Sequence, residues 1–176
     1  MPFAVTLQFD AATAPSIEAF WRALAAAGID SDRADLGYAP HVTLAVYADD
    51  APAAVLQDAV KHVSATWVSL PVTLAGLGIF PAPSPILWAA PVVTQALLLR
   101  HAALQAALPG LTPQAHYRPN AWLPHVTLSG TLADPGVALA VLLPLWRPVT
   151  GLLDRVDLVR FRPVDVLYSR PLPRDT

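Results

Sequence analysis

The string Pro-His-Val-Thr-Leu occurs twice in this chain of 176 residues, at 40–44 and again at 124–128. A chance repeat of this length in such a chain has a probability on the order of a few per cent. The two histidines, His41 and His125, are separated by about half the length of the chain. The repeat therefore favours a molecule built from two related halves.

The residues around the first copy predict a defined order of elements. Alternating apolar residues over 3–9 predict a half-buried strand. Apolar residues at helical spacing over 15–27 predict a helix, with Pro15 in its first turn and Gly28 at its end. A second helix is predicted over 52–65, with a core face of Val55, Leu56, Ala59, Val60 and Val63, and a further strand follows it in the segment VTLAGLGIF.

The second half repeats this order. It has an apolar strand (ILWAAPVV), a helix over 95–108, the motif, a helix that starts at 134–135 and fades at Pro144, and the closing strands RVDLVRF and VDVLYSR. No Gly- or Ser-rich linker separates the halves. We therefore expect an α+β fold in which residues 1–176 form one domain of two pseudo-symmetric lobes, approximately 1–82 and 83–176.

Composition limits the classes of function. Apolar residues make up 55% of the chain and charged residues 14%, which is typical of a globular protein. The absence of cysteine excludes disulfides, zinc-thiolate sites and thiol nucleophiles. A net charge of −2 with a single lysine, Lys61, offers no extensive surface for nucleic acid.

The apolar segments do not have the pattern of targeting or membrane segments. The first ten residues read as a strand rather than a signal peptide, and the apolar stretch 137–146 is too short to span a bilayer. We expect a cytoplasmic monomer without a membrane partner.

The spacing of histidine and threonine in each motif has a chemical meaning only in a strand. Residues two apart in a strand point to the same face, so His41 projects with Thr43, and His125 with Thr127. In a helix each pair would diverge by roughly 200°. An approximate two-fold axis would bring two imidazoles and two hydroxyls to one cleft.

Such a cleft can hydrolyse a phosphate ester. One neutral histidine takes a proton from the attacking water, while the opposite, protonated histidine gives a proton to the leaving oxygen. The threonine hydroxyls bind the non-bridging oxygens as negative charge grows on them. The two imidazoles form a coupled acid–base pair, so a bell-shaped pH profile is expected, and neither step requires a metal.

Other interpretations stay open. A single His-x-Thr is more often an ordinary structural feature, and only its repetition favours chemistry. A zinc site would need a third protein ligand, and carboxylates near the motifs are sparse. The cleft could instead belong to a module that binds a nucleoside phosphate without turning it over.

Paired PHVTL strings in a chain of this size resemble the two-histidine (2H) phosphoesterase superfamily, whose motif is H-x-[ST]-x in two copies. Its members include the bacterial 2′-5′ RNA ligase-like proteins, which act as RNA 2′,3′-cyclic phosphodiesterases. The resemblance implies two lobes with antiparallel sheets flanking a central cleft. It also implies that His41 and His125 are catalytic, that Thr43 and Thr127 bind phosphate, and that no metal or cofactor takes part.

The resemblance implies a partner with a 2′,3′-cyclic phosphate, either a small cyclic nucleotide or an RNA end, and the same site would accelerate the reverse 2′-5′ ligation. Many RNA-directed members carry a basic residue shortly after the second motif, as in HxTLAR. This chain reads HVTLSG, with Ser129 and Gly130 at that point. Ser129 would lie on the His125 face if the strand continued, and could add a hydroxyl donor.

Three further residues are candidates for substrate contact. Tyr38 and Trp122 each precede a motif histidine by three residues and could stack on a base. Arg118, in the loop before the second motif, is placed to bind phosphate. The remaining histidines are weaker candidates: His62 and His101 are predicted at the surface or boundary of helices, and His116 shares the loop of Arg118. Asp30, Asp32 and Asp35 read as a solvated turn that would repel a phosphate.

Overall fold

The computed structural model of the protein describes residues 1–81, 83–130 and 132–174. Its strands are β1 Phe3–Phe9, β2 His41–Tyr47, β3 Leu70–Phe80, β4 Ile86–Pro91, β5 Val126–Ser129, β6 Val149–Arg160 and β7 Asp165–Pro171. Its helices are α1 Ala14–Ala26, α2 Asp32–Asp35, α3 Ala53–Ser64, α4 Gln95–Ala106 and α5 Pro135–Leu142, with a 3₁₀ turn at Ala115–Tyr117.

The strands form one antiparallel sheet in the order β2-β1-β6-β3-β4-β5, and β7 pairs with β6. Helices complete an α+β fold, as the sequence predicted. The two expected sheets are continuous, because the first residues of β3 and of β6 pair with each other, Leu70–Leu74 with Val149–Leu153.

The two halves of the sequence exchange their closing strands. In the first half β1 pairs with β2, and in the second β4 pairs with β5. However, β6 from the second half pairs with β1, and β3 from the first half pairs with β4. The lobes β2-β1-β6 and β5-β4-β3 are therefore equivalent under an approximate two-fold relation. Four residues of the predicted lobes, Ala82, Thr131, Asp175 and Thr176, lie outside the described residues.

The main helices follow the predicted spacing to within two residues at their ends. In α1, Ile17, Phe20, Trp21 and Leu24 are buried, Pro15 lies in the first turn, and Gly28 follows the helix with φ of +68°. The core face predicted for α3 is correct for Leu56, Ala59 and Val60 and wrong for Val55, which is 50% exposed. In α4 and α5, the side chains of Thr94 and Asp134 cap the first turns.

Most buried side chains form one core between the sheet and the helices. On the opposite face of β1, β2 and β6 lies a second, smaller cluster, composed of Ala4, Tyr38, Val46, Tyr117 and Val159. All five of these residues line a cavity, so this cluster forms the floor of a cleft. In the described residues, every helix is too short or too polar to cross a bilayer.

Gly151 in β6 allows α1 to begin against the sheet. A Cβ on Gly151 would lie 2.6 Å from the Cβ of buried Thr13, directly before α1. We expect Gly151→Ala to lower the free energy of unfolding by about 1–3 kcal/mol, because a short β-branched side chain cannot move aside. Urea denaturation would measure the change.

Gly76 in β3 provides the matched control, because a Cβ there would meet nothing within 4 Å. The Gly76→Ala variant should unfold within about 0.5 kcal/mol of the wild type. Equal stability of the two alanine variants would contradict the proposed close approach at Gly151.

Candidate active site

The structure brings the four motif side chains together. His41 is the first residue of β2, and His125 directly precedes β5. These strands are the two ends of the sheet order. Both histidines, together with Thr43 and Thr127, line one cavity of about 170 Å³.

The two histidines are held in the same way. The Nδ1 atom of His41 lies 2.8 Å from the carbonyl oxygen of Ala39, and Nδ1 of His125 lies 2.8 Å from that of Leu123. A carbonyl oxygen can only accept, so each Nδ1 carries the proton and donates it. Each neutral ring therefore keeps a lone pair on Nε2, which is the nitrogen available for proton transfer.

Burial keeps both imidazoles neutral at pH 7. The pKa of His41 falls from 6.5 to about 4, chiefly because of burial; the Ala39 hydrogen bond opposes this shift, and the neighbouring Arg33 and His125 contribute to it. Burial also lowers the pKa of His125 below 6.5. The cleft thus starts with two bases rather than with two cations.

Each motif strand is tied to the opposite half by an indole. Trp21 on α1 donates from Nε1 to the carbonyl of Thr127 at 3.1 Å, and Trp122 donates to the carbonyl of Thr43 at 3.0 Å. Each strand pairs on one side only, so these carbonyls point to an open edge. These two hydrogen bonds hold in place the strand edges at which Thr43 and Thr127 lie.

The two aromatic residues predicted to stack on a base have different surroundings. Tyr38 lines the cavity, but it is buried and its ring lies 5.0 Å from the ring of His41. Trp122 lines no described cavity and stacks on His101 at 4.2 Å between ring centroids. The structure does not place the Trp122 ring in the cleft, because its indole is used to hold Thr43.

A buried network fixes Tyr38 against His41. The Tyr38 hydroxyl donates to Asp157 at 2.8 Å, and Nε2 of Gln8 donates to the same carboxylate oxygen at 2.7 Å. Thr6 lies 2.7 Å from the Tyr38 hydroxyl and must be the donor, because the Tyr38 proton is already used. Burial, followed by the negative charge of Asp157, raises the pKa of Tyr38 above its ordinary value.

His125 lies in an aromatic corner of its own. The ring of Phe80 meets the His125 ring edge-on at 4.9 Å between centroids, and Trp88 lies 6.1 Å away. Phe80 and Trp88 stack on each other at 4.9 Å. These residues come from the exchanged strand β3 and its partner β4, so nothing in the sequence around the motif identified them.

Ser129 and the acidic loop differ from their predicted roles. Ser129 is fully buried, and its hydroxyl donates to the carboxylate of Asp30, which also accepts from the backbone N–H of Gly130 at 3.0 Å. The Ser129 hydroxyl is therefore used to anchor the end of β5 and does not face the cleft. Asp30 is a structural acceptor rather than part of a solvated turn.

The cavity that holds the four motif side chains is not lined by Arg118 or by the remaining histidines. Arg118 is exposed, lines no described cavity, and donates from Nε to the carbonyl of Pro113 at 3.3 Å. His101 was predicted at a surface or boundary and is instead buried, with Nε2 placed 2.8 Å from the Tyr117 carbonyl. His62 is exposed on α3, and His116 lines a second cavity.

The second cavity, of about 610 Å³, adjoins the first. The two share Arg33, Val46, Tyr117, His125, Thr127 and Phe161. The second extends between Phe80, Ile86, Gln114 and His116, and its lining is more apolar than that of the first. Together they form one cleft with the motif residues at its narrow end.

Arg33 is a basic residue of this cleft that the sequence did not indicate as a candidate. It lies on α2 and lines both cavities. Its Nη2 is 2.8 Å from the carboxylate of Asp32, which also pairs with Arg162 from the turn after β6. The available signal was weak: a lone basic residue in an otherwise acidic loop before the first motif.

Within the described residues, no three side chains of His, Asp or Glu approach closely enough to hold a metal ion. The residues that converge on the cleft are instead proton carriers, hydroxyls and cations, a set suited to an anionic substrate.

A family model described as the 2′-5′ RNA ligase superfamily matches residues 10–165. No curated protein matches the chain in sequence.

Solved structures share the fold at low sequence identity. TT0787 of Thermus thermophilus is 17% identical, with 100% of each chain covered and a TM-score of 0.67. Kluyveromyces marxianus Usb1 is 14% identical, covering 97% of this chain and 98% of that one, with a TM-score of 0.64. E. coli LigT complexed with 3′-AMP is 18% identical, covering 98% and 99%, with a TM-score of 0.62.

Stability should depend on pH through His41. Its pKa is about 4 in the folded protein, below the ordinary 6.5, so the unfolded chain binds this proton more tightly. The stabilisation is complete above pH 6.5 and is lost as the pH falls towards 4. Between pH 7.5 and 5 we expect the wild type to lose about 1–2 kcal/mol more than His41→Gln, measured by urea denaturation.

The exposed His62 offers a control for this experiment. A His62→Gln variant should lose as much stability as the wild type over the same pH range. Parallel curves for wild type and His41→Gln would show that the pKa of His41 is not lowered by folding.

Proposed function

The chain belongs to the 2′-5′ RNA ligase superfamily, and from this premise we propose that it is a two-histidine hydrolase of a 2′,3′-cyclic phosphodiester. The observation that carries the proposal is the matched pair of histidines. Both donate Nδ1–H to a backbone carbonyl two residues earlier, and both line one cavity with the two motif threonines. A site that only bound phosphate would not need two imidazoles with free Nε2 atoms.

The proposed reaction uses Nε2 of each ring. The neutral imidazole takes a proton from water as the water oxygen bonds to phosphorus, and the P–O bond on the opposite side breaks. The leaving ribose oxygen takes the proton from Nε2 of the other, protonated imidazole. The products are a ribose hydroxyl and a phosphate monoester that still carries one acidic proton, and the monoester gains its second negative charge when that proton passes to solvent. The two rings exchange protons with solvent before the next turnover.

Thr43 and Thr127 are proposed to stabilise the charge on phosphorus. Their side chains line the cavity beside the histidines, and their own carbonyls are tied by indoles. A hydroxyl held in advance costs no reorganisation when the non-bridging oxygens gain charge. The phosphate anion would also raise the pKa of the nearer imidazole, and so supply the acid that two neutral rings lack.

The shape and charge of the cleft favour a small nucleotide or a single RNA end. The larger cavity is mostly apolar and could hold the nucleoside that follows the phosphate. LigT has been solved with 3′-AMP, ATP and NADP⁺, which shows that this fold binds nucleotides in that protein. A net charge of −2 gives little attraction for a long RNA backbone. The same site would accelerate the reverse 2′-5′ ligation.

Hydrolysis should depend on both histidines and on no metal. A nucleoside 2′,3′-cyclic monophosphate and a short RNA with a 2′,3′-cyclic phosphate end would each be tested in excess chelator. We expect turnover of at least one, and a loss of about 10²- to 10⁴-fold in kcat for His41→Ala and for His125→Ala. The preferred substrate would identify the natural class.

His62→Ala is the matched control, because this histidine is exposed and lines neither cavity of the cleft. It should keep full activity. Turnover that survives in either motif variant would contradict acid–base pairing. Nucleotide binding without turnover in the wild type would identify a binding module instead.

The pH profile of kcat/KM should be bell-shaped with its maximum below pH 6.5. The rate needs one protonated and one neutral imidazole, and burial lowers the pKa of both, that of His41 to about 4. Initial rates at low substrate concentration between pH 4 and 9 would define the curve. A rate that rises steadily to alkaline pH would be incompatible with the pairing.

A further inference from the structure

Arg33 occupies the junction of the two cavities. It lines the smaller one with both histidines and the larger one with His125, Thr127 and Gly130. It comes from α2, far in sequence from the second motif, and its side chain is only 18% exposed. A cation desolvated at this point interacts with an anion more strongly than an exposed one would.

The guanidinium of Arg33 has donor capacity left over. Nη2 pairs with Asp32 at 2.8 Å, whereas Nε is buried and has no hydrogen-bond partner in the described part of the chain. A buried donor without a partner is unfavourable unless a ligand or water satisfies it. The positive charge of Arg33 is close enough to His41 to contribute to the lowering of its pKa.

Arg162, the other cation at the smaller cavity, is placed differently. Both of its terminal nitrogens donate to Asp32, in a two-pronged pair that joins α2 to the turn after β6. The planar fork of Arg162 is thereby occupied. Asp32 pairs with both arginines and neutralises one of their two positive charges. Because both terminal nitrogens of Arg162 are used in this pair, Arg33 is the cation that remains available to a ligand.

The side chain of Arg33 also lies beside Gly130. Nη2 of Arg33 lies 3.8 Å from the point that a Cβ on Gly130 would occupy. Gly130 does not have a positive φ, so a side chain is allowed there. The space beside the end of β5 is thus filled by an arginine that reaches in from α2.

We propose that Arg33 is a substrate-binding residue of this cleft, and that its guanidinium binds a non-bridging oxygen of the nucleotide phosphate beside His125 and Thr127. The proposal rests on the proposed function for its substrate class, a nucleoside phosphate, and adds a residue from outside both motifs. It assigns to α2 and the Asp32–Arg162 pair the task of presenting this cation.

Binding of 3′-AMP and of uncharged adenosine, measured by calorimetry, tests the proposal without requiring turnover. Arg33→Gln should weaken 3′-AMP binding on the order of 10- to 100-fold and leave adenosine binding unchanged. Arg118→Gln is the matched control, because Arg118 is exposed and lines no described cavity; it should bind both ligands like the wild type.

A double variant protects the test against misfolding. Arg33→Gln combined with Gly130→Arg returns a guanidinium to the same space from the residue that follows β5, and should recover at least part of the affinity for 3′-AMP. Loss of this affinity in Arg33→Gln with unchanged thermal unfolding, followed by recovery, supports the proposal. Unchanged 3′-AMP affinity in Arg33→Gln, an equal loss for adenosine, or no binding of 3′-AMP to the wild type would overturn it.

The two proposals fail separately. Absence of turnover with Arg33-dependent binding of 3′-AMP would end the hydrolase assignment and keep the phosphate contact. Turnover that needs both histidines, together with 3′-AMP binding that does not need Arg33, would do the reverse.

Discussion

The pairing of β3 with β6 at the centre of the sheet is the constraint on which the rest of the structure depends. Leu70–Leu74 and Val149–Leu153 join the two halves there, and each strand continues into the lobe of the other half. This arrangement leaves β2 and β5 as the ends of the sheet order. The two motif strands can therefore contribute to one cleft. The indoles of Trp21 and Trp122, which line neither of its cavities, hydrogen-bond to the carbonyls of Thr127 and Thr43 on the open edges of these strands.

In the cleft, most of the buried polar groups already hydrogen-bond to other residues of the protein. Burial deprives the imidazoles of their charge, and the carbonyls of Ala39 and Leu123 fix which nitrogen keeps the proton. Beneath them, the carboxylate of Asp157 is held by Gln8 and Tyr38. Most groups around the site are thus committed to neighbours, which leaves few orientations open to the reacting atoms.

The sequence predicted what depends on local spacing. The α+β class, the main helices and the shared face of His and Thr in each motif follow from periods of two and of 3.6 residues. Contacts between distant segments were not predictable in this way. Ser129 has the right spacing to face the cleft, yet Asp30 draws its hydroxyl away, and Arg33 reaches the site from a short helix that no period reveals.

The strand exchange has a consequence for symmetry. One half taken alone has an incomplete lobe, so the geometric equivalent of the whole molecule would be two identical half-chains that share their last strands. In such a dimer both histidines would have identical surroundings. A single covalent chain removes that restriction, and here His41 lies against Tyr38 while His125 lies against Phe80 and Trp88. Two imidazoles that share the same Nδ1 hydrogen bond can thereby acquire unequal proton affinities, which is the condition for one to act as the acid and the other as the base.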